Sequence, residues 1–311
     1  MNLQQIYYIL AVSETGSYTL AAEKCFVTQS TLSTMIARFE GEMKIQIFDR
    51  KTKPVSLTNE GISIITQLKL IAKEVTALGD LVQTLKGEMS GSLKIGIIPT
   101  VAPYILPEFL NGFVQQFPQM TFTVSEMPTG HIVEQLQKRE LDIGVLAGPV
   151  EADTLDEIPL YNEPFVLYDG TKGKQKKYRS LDEIEMEKFW LLEEGHCFRT
   201  QVSRICDLDN CKHNSSLNFD FKAGSIDSLI RFVKTNNGIT LLPYLATLDF
   251  LPEEIAKISL LPQPVPVRSI SLLVHKHFVK TDILTLLQKE IQQKILPLLK
   301  TKKREEVVVP V

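Results

Sequence analysis

Residues 17–43 read SYTLAAEKCFVTQSTLSTMIARFEGEM, and the way that run folds decides the front of the molecule. Ser17 stands where a side-chain oxygen caps a helix, directly after Gly16, a residue suited to ending the helix before it. The helix so opened carries Leu20, Ala21, Ala22 and Cys25, with the two alanines small enough for close helix packing. Thr28 is a second N-cap, and behind it Leu32, Ile36 and Phe39 recur at helical spacing. Two helices joined by a short turn, the second one polar at its start, form a helix-turn-helix pattern. Gln29, Ser30, Thr31, Ser33 and Thr34 fill the first turns of that second helix, the part that reaches base edges in a major groove. Glutamine pairs with adenine there, and serine or threonine hydroxyls bond either base type.

On the upstream side, Leu3, Ile6, Tyr7, Ile9 and Leu10 mark one face of a leading helix. On the downstream side, residues 47–58, IFDRKTKPVSLT, read as a basic turn between two short extended pieces. That suits a β-wing placing Arg50, Lys51 and Lys53 against phosphates. Placement carries this reading, because overall charge does not. Through residue 58 the six basic residues (Lys24, Arg38, Lys44, Arg50, Lys51, Lys53) barely outnumber the five acidic ones (Glu14, Glu23, Glu40, Glu42, Asp49). Next, Ile64, Leu68, Ile71, Val75, Leu78, Val82, Leu85 and Met89 alternate steps of four and three. Such a heptad seam predicts one long helix over residues 58–89 that pairs with a second copy.

From residue 92 the texture changes. SLKIGIIP, MTFTVSEMP and LDIGVLAG are apolar strands separated by helical stretches, which predicts βαβ units and a largely parallel sheet. FVLYD, FWLLE, GITLLP and ISLLVHK read as further strands, and residues 282–299 as a final amphipathic helix. Internal repeats are not evident. The expected class is α + α/β: a winged helix-turn-helix at 1–58, a linker and dimerisation helix at 59–90, and a two-lobed regulatory domain like a periplasmic binding protein. Its first lobe takes 91–162 and 269–300, its second 163–268, and a tail 301–311. The basic loop Lys172–Arg179 and the run KTKKREE are expected to be solvated surface.

The chain has 311 residues, a net charge of −3 and 44% hydrophobic residues. No run approaches the roughly 18 apolar residues of a membrane span, and the start, MNLQQIYYILAVSE, lacks a basic region before its short apolar run. A cytosolic protein is expected, without a membrane partner. Four cysteines are too few for a disulfide scaffold at this length, so clustered ones point to redox or metal chemistry. The cluster is GHCFRTQVSRICDLDNC, with Cys197 beside His196 and two residues before Arg199. A neighbouring cation lowers a thiol's pKa, and the thiolate is the reactive form. Peroxide oxidises a thiolate to sulfenic acid, which a second thiol condenses to a disulfide. Cys206 and Cys211 are both near enough in sequence to be that second thiol. Cys25, on an apolar helix face, reads as a core residue.

The run from Ser17 to Met43, followed by IFDR and LTNEG, resembles LysR-type transcription regulators, and the resemblance extends over the linker and the two-lobed domain. IGIIPTVAPYILP, EEGHCFRTQ, Cys206 and SIDSLIRFVKTNNGITLLP resemble the peroxide-sensing members of that family. The resemblance implies that Cys197 is the peroxidatic thiol and Cys206 the resolving one. It places Thr100, Thr129, His196 and Arg268 around the peroxide. It further implies a homotetrameric activator of oxidative-stress genes that meets promoter DNA, hydrogen peroxide and RNA polymerase. No cofactor, resident metal or enzyme activity is expected. The sequence departs from the family at Thr200, where an acidic residue is common, and at Cys211, a competing thiol. Two other readings stay open: a small organic effector between the lobes, and a metal held by the Cys/His cluster.

Overall fold

The computed structural model describes residues 1–87, 89–171, 188–192, 197–206, 223–261, 263–299 and 305–308. For Thr84, Cys197, Glu305 and Glu306 it describes the backbone alone. Two compact units divide at Lys86/Gly87.

The first unit opens with α1 (Leu3–Thr15), capped by the reciprocal Asn2/Gln5 pair and ended by Gly16 at φ 62°. A left-handed residue there suits glycine because it has no Cβ to clash. The face α1 buries is Ile6, Tyr8, Ile9 and Val12, while Tyr7 and Leu3 stand exposed. Both depart from the face expected of Leu3, Ile6, Tyr7, Ile9 and Leu10. With two adjacent tyrosines the period of 3.6 admits either, and Tyr8 lies one turn before Val12 on the packed face. Helix α2 (Tyr18–Lys24) is capped by Ser17, and α3 (Gln29–Met43) by Thr28, as their sequence predicts. Strands β1 (Phe48–Asp49) and β2 (Ser56–Leu57) pair antiparallel as the wing. Ile6, Ile9, Ala21, Leu32, Ile36, Phe39 and Phe48 share one core.

Helix α4 (Asn59–Leu85) is 27 residues long. Its beginning is buried at Ile65 and Leu68, whereas Leu78, Val82 and Leu85 are 62%, 43% and 78% exposed. The heptad was expected to run on to Met89. The helix stops short of it: Gly87 takes φ 74°, and Met89 packs against the core of the second unit.

In the second unit, β3 (Gly91–Ile97), α5 (Ala102–Gln115), β4 (Met120–Glu126), α6 (Thr129–Gln137) and β5 (Ile143–Gly148) form two βαβ crossovers, with β3 parallel to both β4 and β5. The remainder departs from the largely parallel sheet that was expected. Strand β6 (Leu155–Asp169) is 15 residues long and runs through both halves of the unit. Beyond it come α7 (Cys197–Ile205), α8 (Ile226–Thr235), β7 (Ile239–Pro243), α9 (Pro252–Ile255), β8 (Ile258–Leu260), β9 (Val265–His275) and α10 (Thr281–Ile295). The pairings β5–β9, β9–β6, β6–β7 and β6–β8 are all antiparallel. Helical crossovers favour parallel strands. Here β6 and β9 instead carry the chain across and back, so they meet head to tail. FWLLE was expected to be a strand, but Phe189 and Leu192 make only isolated bridges, to Ile239 and Ala223.

Among the described residues these seven strands and β10 (Glu305–Val307) make one eight-stranded sheet. One hydrophobic cluster gathers on β3, α5, α6, β5 and α10, a second on the far end of β6 with α7, α8 and β7. The tail also departs from expectation. Glu305–Val307 form β10, parallel to Val265–Val267 of β9, rather than a solvated end. The loop 172–179 lies outside the described residues. No described helix is long and apolar enough to cross a membrane.

Candidate functional site

In the first unit α3 presents Gln29, Ser30, Thr31 and Thr34 exposed and Ser33 half-buried, while Leu32, Ile36 and Phe39 face the core. The first turn is locally ordered. Thr28 Oγ1 accepts from the Thr31 amide at 3.2 Å, and Gln29 Oε1 accepts from the Thr19 hydroxyl at 3.0 Å. Lys51 and Lys53 are exposed on the wing. Arg50 is tethered instead: Nη2 is 3.0 Å from Glu40 Oε2, and its guanidinium stands 5.5 Å from the Tyr18 ring centre. Cys25 follows the last residue of α2, half-buried, and burial pushes its thiol pKa up. That disfavours a reactive thiolate and fits a packing role.

In the second unit the carboxyl ends of β3 and β4 lie side by side, Ile97 in register with Glu126. Thr100 and Thr129 each sit three residues beyond that pair, at the end of a parallel sheet where ligands bind. Thr100 is 2% exposed. Its Oγ1 accepts from Arg268 Nη1 at 3.0 Å, and its carbonyl accepts from Nη2 at 2.9 Å. Thr129 begins α6, and its Oγ1 is buried with no hydrogen-bond partner among the described residues.

Arg268 is itself buried at 1% exposure, which demands a counter-charge. Glu163, at 0%, is its neighbour across the β6–β9 pairing. Glu163 Oε2 accepts from Arg268 Nε at 2.9 Å and from Nη2 at 2.8 Å, and Oε1 accepts from the Leu245 amide at 2.8 Å. Glu163 was not among the expected site residues. A lone carboxylate inside the apolar run YNEPFVLY was a readable signal, since buried carboxylates are almost always paired. Tyr104 packs against both hydrophobic clusters, and burial, reinforced by the negative charge of Asp227, raises its pKa. Tyr161 is buried with its hydroxyl unpartnered among the described residues.

Helix α7 closes over this clamp. The Phe198 ring lies 5.5 Å from the Arg268 guanidinium and 5.5 Å from the Phe165 ring. Cys197 opens the helix, and Cys206 follows its last residue, its amide donating to the Val202 carbonyl at 3.0 Å. Cys206 is buried. Arg199 Nη1 donates to the Leu192 carbonyl at 2.8 Å, which fixes the start of the helix. The structure thus brings Thr100, Arg268 and the residue next to Cys197 together. His196, Cys211 and the side chain of Cys197 lie outside the described residues, and with them the expected activation of the thiol and the Cys/His metal alternative. Thr200 is half-exposed on α7.

A winged helix-turn-helix at one end and a two-lobed α/β domain with a buried polar clamp at the other define a class of bacterial regulator. The family pattern described as a bacterial regulatory helix-turn-helix protein of the lysR family matches residues 3–62, and the LysR substrate binding domain matches residues 86–292. The chain belongs to the LysR family. Within it the similarity is to OxyR. The chain is 32% identical over 278 residues to a hydrogen peroxide-inducible genes activator of Dickeya chrysanthemi, with 88% of each chain covered. It is 32% identical over 248 residues to the DNA-binding transcriptional dual regulator OxyR of Escherichia coli K12, covering 79% of this chain and 80% of that one. A full-length OxyR variant of Pseudomonas aeruginosa has the same fold at a TM-score of 0.73 and 25% identity, over 97% of this chain and 98% of that one.

Proposed function

We propose that this LysR-family protein is a peroxide-responsive transcription activator whose switch is oxidation of Cys197 and closure of a Cys197–Cys206 disulfide. The observation that carries the reading is α7 itself. Nine helical steps at about 1.5 Å each hold the two Cα atoms about 13.5 Å apart, and a disulfide needs them within roughly 7 Å. The bond and the helix exclude one another, so oxidation must remodel α7. Similarity to proteins named as hydrogen peroxide-inducible activators supports the choice of oxidant.

The chemistry balances with peroxide alone. The Cys197 thiolate attacks one peroxide oxygen, the O–O bond breaks, and hydroxide leaves to become water on protonation. The resulting sulfenic acid is attacked by Cys206, the S–S bond forms, and a second water leaves. Two thiols lose two electrons and peroxide gains them. Thr100 and Arg268 would bind peroxide with His196, and the unpartnered Thr129 hydroxyl supports a polar ligand at that sheet edge. His196 and Arg199 would favour the thiolate.

On DNA, Gln29, Ser30, Thr31, Ser33 and Thr34 would read bases, and Lys51, Lys53 and the more tethered Arg50 would contact phosphate. The exposed Leu78, Val82 and Leu85 on α4 support pairing with a second copy, the step toward a tetramer that contacts RNA polymerase. The test is one equivalent of hydrogen peroxide added to reduced protein, with cysteine linkages mapped by mass spectrometry and promoter footprints compared. A Cys197–Cys206 bond that is absent in Cys197→Ser, with an altered footprint, is expected. No oxidation at stoichiometric peroxide would overturn the reading. A bond to Cys211 would reassign the resolving thiol.

A further inference from the structure

Apolar packing is not all that holds α7. Gln201, one turn beyond Cys197, is fully buried at 0% exposure, and its Nε2 donates to the Val308 carbonyl at 2.8 Å. Its Oε1 has no partner among the described residues. A buried amide costs free energy unless it is bonded, so this side chain depends on one main-chain carbonyl 107 positions away in sequence. Val308 is itself fixed. Its amide donates to the Val267 carbonyl at 2.8 Å, and its side chain packs against the cluster that contains Phe198, Val202 and Cys206.

Strand β10 takes up the edge of β9 where β5 leaves off. β5 pairs with Ser269–Val274, β10 with Val265–Val267, and both lie opposite β6. Val267, bonded to Val308, directly precedes the clamp residue Arg268. Residues 305–308 therefore bridge the sheet position of the clamp and the helix that separates Cys197 from Cys206.

We propose that β10 is a latch on α7. Docked through Gln201, it stabilises the helical arrangement that keeps Cys197 and Cys206 apart, and closure of the disulfide releases it. This inference rests on the redox reading above. The coupling is reciprocal: whatever docking adds to the helical form it withholds from the disulfide form, and unwinding α7 carries the Gln201 amide away from Val308. Gln201 acts here as a positioning residue, so its removal must move the thiol–disulfide equilibrium as well as stability.

Two measurements on the full chain test this and separate its failure from failure of the redox reading. The first uses only reduced protein. Amide exchange at 305–308 and within α7 is compared in wild type and Gln201→Leu, a substitution of similar length that cannot donate. Both segments should exchange about tenfold faster in the variant, and unchanged exchange at 305–308 would overturn the latch whatever the thiols do. The second titrates the Cys197–Cys206 couple in glutathione buffers for wild type, Gln201→Leu and a chain stopped after Arg304. Each altered chain should favour the disulfide about tenfold more, a potential about 30 mV more negative. Equal potentials in all three would overturn the coupling. If wild type forms no Cys197–Cys206 bond, the redox reading and the coupling fall together, and the exchange result still decides whether β10 holds α7.

Discussion

Helices α3 and α7 both hold residues to which the proposed function gives a chemical task, yet they are kept in place by different means. Helix α3 has 15 residues, a Thr28 cap at its start, a left-handed Lys44 at its end, and Leu32, Ile36 and Phe39 buried along one face. Helix α7 has nine, below the roughly 12–15 at which an isolated helix is even marginal in water. Its supports come from elsewhere in the chain. Phe198 rests on the Arg268–Glu163 clamp, Gln201 on Val308, and Arg199 on the Leu192 carbonyl. A helix that reads a groove needs one shape, and its own sequence specifies that shape. A helix that gives way to a disulfide, as proposed for α7, is better built from borrowed contacts, because each can be withdrawn.

The clamp offers the largest test of that contrast. Glu163→Ala leaves a buried guanidinium without its counter-charge, and the loss should be about 3–5 kcal/mol. Urea unfolding followed at Trp190, the single tryptophan, reads it directly, since Trp190 packs against the cluster that holds α7. A loss no larger than that of a surface ion pair, about 1 kcal/mol, would show that α7 does not lean on the clamp. Ile36→Ala is the counterpart in α3 and should cost about 2–5 kcal/mol. The expected signs are faster amide exchange over 29–43 and lost promoter binding, with the Cys197–Cys206 equilibrium unmoved. A shift in that equilibrium would mean the two helices are not specified separately.

The same contrast explains what was legible. Gly16, Ser17 and Thr28 announce helix ends because capping is local chemistry, and Leu32, Ile36 and Phe39 announce a face because periodicity is local too. The strands of the first lobe were likewise readable, and the resemblance named Thr100 and Arg268, whose side chains the structure brings within 3.0 Å of each other. Glu163 was readable only as a carboxylate in want of a partner; which partner was not, because that lies in a β6–β9 register that sets it opposite Arg268, 105 positions away. Gln201 and Val308 were hidden for the same reason: neither looks unusual until β10 is paired. The misplaced Tyr7 and Met89 are failures of periodicity at its limits, where two neighbours compete for one face or a glycine ends a helix before its pattern does.

The smallest effect discriminates best. Ala37 and Arg204 are exposed helix positions, in α3 and α7 respectively. Glycine at either costs about 1 kcal/mol of helix propensity relative to alanine. For Arg204 the proper reference is Arg204→Ala, which removes the side chain's contacts while keeping the propensity. In α3, Ala37→Gly should appear only as lost stability. In α7, the step from Arg204→Ala to Arg204→Gly should appear as a potential about 20 mV more negative, because in the proposed switch the penalty falls on the helical form and the disulfide form is not helical. Should Arg204→Gly lower stability with the potential unmoved, α7 would have to remain helical in both forms. A disulfide between residues about 13.5 Å apart rules that out, so the unwinding of α7 would then have to be abandoned together with the pairing of Cys197 and Cys206.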